Sequence, residues 1–181
     1  EILLAAGLPA EAIQCVTGSG SAIGDALVSN PAVRKVTFTG SQEVGEHITH
    51  TAGLKKVTME LGSNSPLIVL PDADIDKVVA ATVQSGYSNA GQVCISTQRV
   101  IVDKSVYSDF LDALAPSVEA LSTGDPMKET VNVGPMVRES DAARVESWIQ
   151  EAVGAGARLV AGGGRDGAVV RPAILADVDR N

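Results

Sequence analysis

Short apolar runs that end at glycine and give way to helix-period stretches recur along the first part of this chain, and that alternation restricts the folds open to it. Ala12 to Thr17 reads as a buried strand, followed by Gly18-Ser19-Gly20-Ser21 and a helix from about Ala22 to Ser29. Val33 to Thr39 reads as the next strand, then Gly40-Ser41, then a helix through Ile48. Lys56 to Leu61 and Pro66 to Leu70 give two further strands. Strand, glycine turn and helix in alternation is the pattern of βαβ units, so the expected class is α/β with parallel βαβ units. Aromatic residues are only 3% of the chain against 45% hydrophobic residues. The core must therefore be built from Ala, Val, Leu and Ile, which suits buried parallel strands covered by helices.

The pattern continues with an acidic helix-start signal, Pro71-Asp72-Ala73-Asp74, and apolar residues at helical spacing, Ile75, Val78, Val79 and Val83. The DADID run at 72–76 is not read as a calcium loop, because Lys77 stands where that loop needs Gly and Val83 where it needs Glu. Gly91-Gln92-Val93-Cys94 then breaks the periodicity before a strand at Arg99 to Val102. Val106 to Leu121 reads as helical, with Pro116 dividing it. A helix from about Asp141 to Val153, a strand at Arg158 to Val160 and a Gly162-Gly163-Gly164 turn complete the reading. A length of 181 residues fits one domain or two partial ones. Composition shifts little along the chain, and the motifs place a boundary near Leu61, giving segments 1–61 and 62–181. The opening Glu1-Ile2-Leu3-Leu4-Ala5-Ala6-Gly7-Leu8-Pro9 reads as the last turns of a helix stopped by Gly and Pro, as in a piece cut from something longer.

Bulk chemistry narrows the partners. The formal charge is −8, with no Lys/Arg run that could track a phosphate backbone, so nucleic acid is not expected. No stretch reads as a membrane span or signal peptide, and no membrane partner is expected. Two cysteines, Cys15 and Cys94, make no disulfide framework, and a reducing cytoplasm is the natural setting. His47 and His50 can share one helix face, but two ligands without a third make a weak metal site, so none is expected.

Chemistry can be sought at three places. Gly18-x-Gly20-x-x-x-Gly24 and Gly40-Ser41-x-x-x-Gly45 each lie between a predicted strand and a predicted helix. Free amides there can hold a phosphate or pyrophosphate, or the glycines can simply permit tight turns. Cys15 lies in an apolar run and reads as a small buried hydrophobe. Cys94 follows Gly91-Gln92 in a turn between helix and strand, where backbone amides can approach whatever is bonded to sulfur. An ordinary thiol, with a pKa of roughly 8.5, is only slightly ionised near neutrality, so a catalytic thiol needs positive charge or dipoles beside it. Glu60 ends a strand beside Leu61-Gly62, where a carboxylate is either aimed into a cleft or merely exposed.

Taken in order, Val36-Thr37-Phe38-Thr39-Gly40-Ser41, Met59-Glu60-Leu61-Gly62 and Asn89-Ala90-Gly91-Gln92-Val93-Cys94 resemble the signature segments of the aldehyde dehydrogenase superfamily. Gly124-Asp125-Pro126, Val133-Gly134-Pro135-Met136 and Arg171-Pro172-Ala173-Ile174-Leu175 agree with it, as does the Glu-to-Cys separation of 34 residues. The likeness covers nearly the whole chain. It implies an aldehyde dehydrogenase-like fold, with residues 1–61 as the C-terminal part of a nicotinamide cofactor-binding domain. Residues 62–181 would then form the thiol-bearing catalytic domain, truncated at its C-terminal end.

The resemblance implies roles as well. Cys94 attacks the aldehyde carbon to give a thiohemiacetal whose oxyanion is held partly by the Cys94 amide. Hydride passes to NAD or NADP, and Glu60 activates the water that hydrolyses the thioester left on sulfur. Gly40, Ser41 and Gly45 line the phosphate and nicotinamide side of the cofactor, and Leu61 lies near the nicotinamide. The partner is a small-molecule aldehyde, and the parent is a homo-oligomer. Family members are much longer, so the isolated segment is expected to be inactive. One local departure stands out: Gly62 is followed by Ser63, where the family commonly has a second glycine; a side chain there can crowd a tight turn, although a small one is tolerated. Two alternatives remain. A CoA-acylating dehydrogenase would pass the thioester to CoA and need no hydrolytic base, which Glu60 argues against. A non-catalytic structural relative would have no use for both Cys94 and Glu60. Neither the aldehyde nor the choice between NAD and NADP is legible.

Overall fold

The structure, a computed structural model, describes residues 1–179. The chain divides into two compact units, Glu1–Gly62 and the remainder from Ser63 onward. Each is described by itself.

In the first unit a short helix α1 (Ile2–Ala5) and a single 3-10 turn (Ala10–Ala12) lead to α2 (Gly20–Ser29), β1 (Lys35–Gly40), α3 (Gln42–Ala52) and β2 (Lys56–Leu61). β1 and β2 are parallel, with Thr39 opposite Glu60 and Gly40 opposite Leu61. Val28, Ile48 and Ala52 are buried between α2 and α3, and Val36, Phe38 and Met59 pack against them from the strands. This is the expected β-turn-α-β unit. The expected strand from Ala12 to Thr17 does not form. Ile13 to Thr17 lies outside any strand, and these residues are exposed. An apolar run becomes a strand only where a neighbour takes up its backbone hydrogen bonds, and the sheet of this unit consists of β1 and β2. Cys15 is accordingly exposed and not a buried hydrophobe.

The second unit begins with another parallel pair, β3 (Ser65–Val69) and β4 (Thr97–Val102), joined by α4 (Ile75–Tyr87). The acidic run starts α4 as its composition predicts. Asp74 caps it by accepting the Lys77 N–H at 3.3 Å and pairs with the Lys77 ammonium at 2.8 Å. Those contacts hold the Asp74 carboxyl below its ordinary range. Helix α5 (Tyr107–Glu119) runs through Pro116, so the expected division there is absent. Proline removes one intrahelical hydrogen bond, but Leu114 and Val118 flank it at 3% and 1% exposure, and their packing holds the last turn in register. With Val79, Phe110, Leu111, Ala161, Ile174 and Ala176 they make the hydrophobic core, aliphatic but for Phe110.

Helix α6 (Glu139–Gly154) and β5 (Arg158–Ala161) follow, and β5 pairs antiparallel with β8 (Ile174–Ala176). Between them β6 (Arg165–Asp166) and β7 (Val169–Val170) form a small hairpin. Antiparallel pairs thus accompany the parallel units. The Gly162 turn that makes this return possible admits no side chain. Its φ is +63°, and a Cβ would lie 1.7 Å from the Pro172 carbonyl oxygen.

Candidate active site

Of the six residues to which the resemblance gives a role, five belong to the first unit. β1 ends at Gly40, and Ser41 caps α3, its hydroxyl accepting the Val44 N–H at 3.3 Å. Gly45 N–H, the first to find an intrahelical acceptor, bonds Ser41 C=O at 3.0 Å. The amides of Gln42 and Glu43 are the orphan donors of a helix start, preceded by the exposed Gly40 and Ser41. Gly45 is buried, and a Cβ there would lie 2.8 Å from Leu61 Cδ2. Leu61 therefore sits against α3. Side chains alternate along a strand, so Glu60 points to the other face, beside its register partner Thr39. Both are exposed. The earlier glycine turn lacks a strand before it, and its Ser19 and Ser21 hydroxyls bond each other at 3.1 Å.

Cys94 belongs to the second unit. α4 gives way to a turn, Ser88–Gly91, in which three successive residues are left-handed: Asn89 at φ +51°, Ala90 at +56° and Gly91 at +73°. Asn and Gly take up this conformation readily, whereas for Ala it costs on the order of 1 kcal/mol. Strain of this sort persists only where surrounding contacts impose it, and here they are visible. Gln92 donates from Nε2 to Asn89 C=O at 3.1 Å and to Pro135 C=O at 3.4 Å, and its Oε1 accepts the Val137 N–H at 2.9 Å. Asn89 Nδ2 returns a bond to Gln92 C=O at 3.3 Å. Ser96, 2% exposed, donates to the carbonyls of Ser85 and Gly86 near the end of α4. Tyr87, buried enough that its phenol is pushed up to about 12, donates to Ala173 C=O at 2.9 Å.

These contacts fix the backbone around an exposed thiol. Ser96 N–H donates to Val93 C=O at 3.0 Å. A trans peptide sets the Cys94 N–H antiparallel to that carbonyl, so the Cys94 amide points out of the turn. On the other side, Ser63 Oγ donates to Cys94 C=O at 2.7 Å. The Ser63 hydroxyl, at the position where the family commonly has glycine, thus bonds the chain beside Cys94. The sequence reading missed the roles of Gln92, Ser96 and Ser63. Gln92 stood inside a signature segment and Ser63 as a departure from pattern, whereas Ser96 carried no signal.

His47 pairs with Asp25 at 2.7 Å, and His50 Nδ1 lies 2.8 Å from Glu46 C=O. Among the described residues no cluster of three His, Cys, Asp or Glu side chains could hold a metal ion, and no helix is long and apolar enough to cross a membrane.

Comparison with known proteins adds an independent line. The aldehyde dehydrogenase family matches residues 1–181. A 3-sulfolactaldehyde dehydrogenase of Priestia aryabhattai is 47% identical over 179 residues, 99% of this chain and 38% of that protein. The NADP-dependent succinate-semialdehyde dehydrogenase GabD of Escherichia coli is 42% identical, covering 100% of this chain and 39% of its own length. Among solved structures, an NADP-dependent enzyme of Escherichia coli superposes with a TM-score of 0.94 at 42% identity, over 98% of this chain and 38% of that one. Aldehyde dehydrogenase C of Pseudomonas syringae, a cysteine-to-alanine variant complexed with NAD+ and octanal, gives a TM-score of 0.92 at 34% identity over 97% and 38%.

Proposed function

The chain belongs to the aldehyde dehydrogenase family, and from that premise we propose that the whole protein oxidises a small-molecule aldehyde to its carboxylic acid with NAD or NADP. The chain spans 38% of the length of the Priestia relative, so we propose the activity for the whole protein and little turnover for these 181 residues alone. The observation that carries the reading is the exposed Cys94 thiol on a turn whose backbone is fixed on both sides of it.

A nicotinamide dinucleotide suits the donor set present. The amides of Gln42 and Glu43 open an eleven-residue helix behind Gly40 and Ser41, the arrangement that takes a phosphate. Gly45, having no side chain, lets Leu61 lie against α3, and Leu61 is proposed to face the nicotinamide. When bound, the cofactor supplies the hydride acceptor.

This chain's own residues would do the rest. Cys94 loses its thiol proton to solvent and adds as the thiolate to the carbonyl carbon, and the oxygen takes up the negative charge, which the outward Cys94 N–H can meet. Loss of hydride from that carbon leaves an acyl thioester on Cys94. Glu60 takes a proton from water as the water oxygen adds to the acyl carbon. The carbon–sulfur bond then breaks, releasing the acid, and the proton held by Glu60 passes to the departing sulfur, restoring both the thiol and the carboxylate. Glu60 favours hydrolysis over transfer to CoA, which would require no base.

The test uses the full-length protein with a panel of aldehydes, including lactaldehyde and succinate semialdehyde. Wild type should produce reduced cofactor and free acid. Cys94→Ala should abolish both, and Glu60→Gln should give a single-turnover burst and then stall. Acyl-CoA formed in place of acid when CoA is added would identify the CoA-acylating reading. Unchanged turnover in Cys94→Ala would refute the mechanism.

A further inference from the structure

We propose that Ser63 is a positioning residue for Cys94, its hydroxyl fixing the Cys94 carbonyl and with it the direction in which the thiol is presented. The inference rests on the proposed role of Cys94. Neither Cys94 nor Ile95 is held by packing. Cys94 is exposed and Ile95 is 77% exposed. Hydrogen bonds must therefore orient this step of the chain, and the two peptides flanking the Cys94 Cα are each held by one. The preceding peptide is held by Ser96 N–H on Val93 C=O at 3.0 Å. The following peptide is held by Ser63 Oγ on Cys94 C=O at 2.7 Å, a contact made across 31 residues of sequence.

The Ser63 bond is itself braced. A hydroxyl has one proton, and Ser63 spends its own on Cys94. The 2.6 Å contact between Ser63 and Ser65 is therefore a bond donated by Ser65. Ser65 is the first residue of β3 and stands opposite Thr97 in β4. Thr97 Oγ1 in turn lies 2.7 Å from Ser85 Oγ on α4. Between the two serines, Asn64 C=O accepts from Arg99 Nη2 at 3.1 Å. A relay of two hydroxyls thus ties the nucleophile's backbone to the start of the parallel pair. Rotation of the Cys94–Ile95 peptide would break that tie and swing the Cα–Cβ bond that carries sulfur. Displacement of a reacting atom by a fraction of an ångström lowers turnover while leaving substrate binding nearly intact.

The experiment compares Ser63→Ala and Ser63→Thr in the full-length protein, with site-resolved mass spectrometry of iodoacetamide alkylation so that Cys94 is followed separately from Cys15. Ser63→Ala should lower kcat about fivefold, the order expected for one net hydrogen bond. KM for the aldehyde should stay within about twofold, and Cys94 alkylation should slow by a similar factor to kcat. Ser63→Thr, which keeps the hydroxyl, should restore both. Wild-type kcat and alkylation in Ser63→Ala would overturn the assignment. So would equal losses in both variants together with a lowered thermal midpoint, which would mark a purely structural residue. A wild-type protein without aldehyde oxidation would sink the functional reading alone, because the alkylation rates still decide the role of Ser63.

Discussion

Gln92 Oε1 accepts the Val137 N–H at 2.9 Å, joining the turn that carries Cys94 to a loop 45 residues further along the chain. The same side chain donates to Asn89 and Pro135 carbonyls, so one amide group serves three backbone partners. Truncation removes the bonds to Pro135 and Val137 outright and leaves the Asn89 carbonyl with the Gln92 backbone N–H alone.

Gln92→Ala should therefore destabilise the protein by about 1–2 kcal/mol and lower kcat more than it alters KM. Gln92→Glu is the sharper probe. It keeps an acceptor for Val137 but sets a carboxylate oxygen where an N–H met two carbonyls, so it should be at least as damaging as alanine near neutrality. Chemical denaturation and steady-state kinetics check both; a harmless Gln92→Glu would show that the donor bonds do not hold the turn.

Gly45→Ala places two effects in opposition. Alanine is the better helix former by about 1 kcal/mol, but its Cβ would meet Leu61 Cδ2 at 2.8 Å. Leu61 must then rotate away from α3. The expected outcome is a thermal midpoint close to wild type with KM for NAD(P) raised several-fold. A rise in stability with no change in cofactor KM would count against placing Leu61 at the nicotinamide.

Tyr87 titrates late, near 12, because burial disfavours the phenolate. A phenol whose folded value lies above its ordinary value of about 10 contributes stability that is complete below pH 10 and is lost as pH rises through the folded value. Tyr87→Phe removes the bond to Ala173 C=O, at a cost of about 1–2 kcal/mol near neutrality. It should also flatten the alkaline limb of the stability profile. Thermal melts from pH 8 to about 11 would detect that change; an unchanged alkaline limb would contradict it.

Asp177 accepts from Arg158 Nε at 3.0 Å and from the Tyr107 hydroxyl at 2.9 Å, and these partners, Arg158 foremost, hold its carboxyl below the ordinary range. A depressed carboxylate contributes stability that is full above its unfolded value of about 3.9 and fades as pH falls through the folded one. Its φ of +56° is one that asparagine tolerates. Asp177→Asn should thus lower the urea midpoint modestly at neutral pH, with the difference from wild type shrinking below about pH 4. A difference constant with pH would show that the charge is irrelevant.

What could be read from the residues was governed by near neighbours in sequence. Period, caps and turn glycines are local, so α6 appeared within about two residues of where it stands, the starts of α3 and α4 were found although both helices run on past the expected Ile48 and Val83 to Ala52 and Tyr87, Asp74 was recognised as a helix start, and β2 was placed correctly. The ordered signature segments likewise carried the family, because they are strings and survive without coordinates. Ile13 to Thr17 shows where that logic stops, since an apolar run cannot report whether a neighbouring strand will take up its hydrogen bonds. Pro116 shows it again, because the packing of Leu114 and Val118 that holds the helix together comes from residues distant in the chain.

The sequence by itself determined the alternation of strands and helices, the family, and the identity of the thiol and carboxylate to which chemistry is assigned. Only the tertiary structure decided how the thiol is held: the left-handed run at Asn89-Ala90-Gly91, the Gln92 bonds to Pro135 and Val137, and the Ser63 hydroxyl on the Cys94 carbonyl. The division follows from range. Local propensities act over a few residues and leave a mark in the string, whereas a hydrogen bond across 31 residues exists only once the chain has folded both partners into reach.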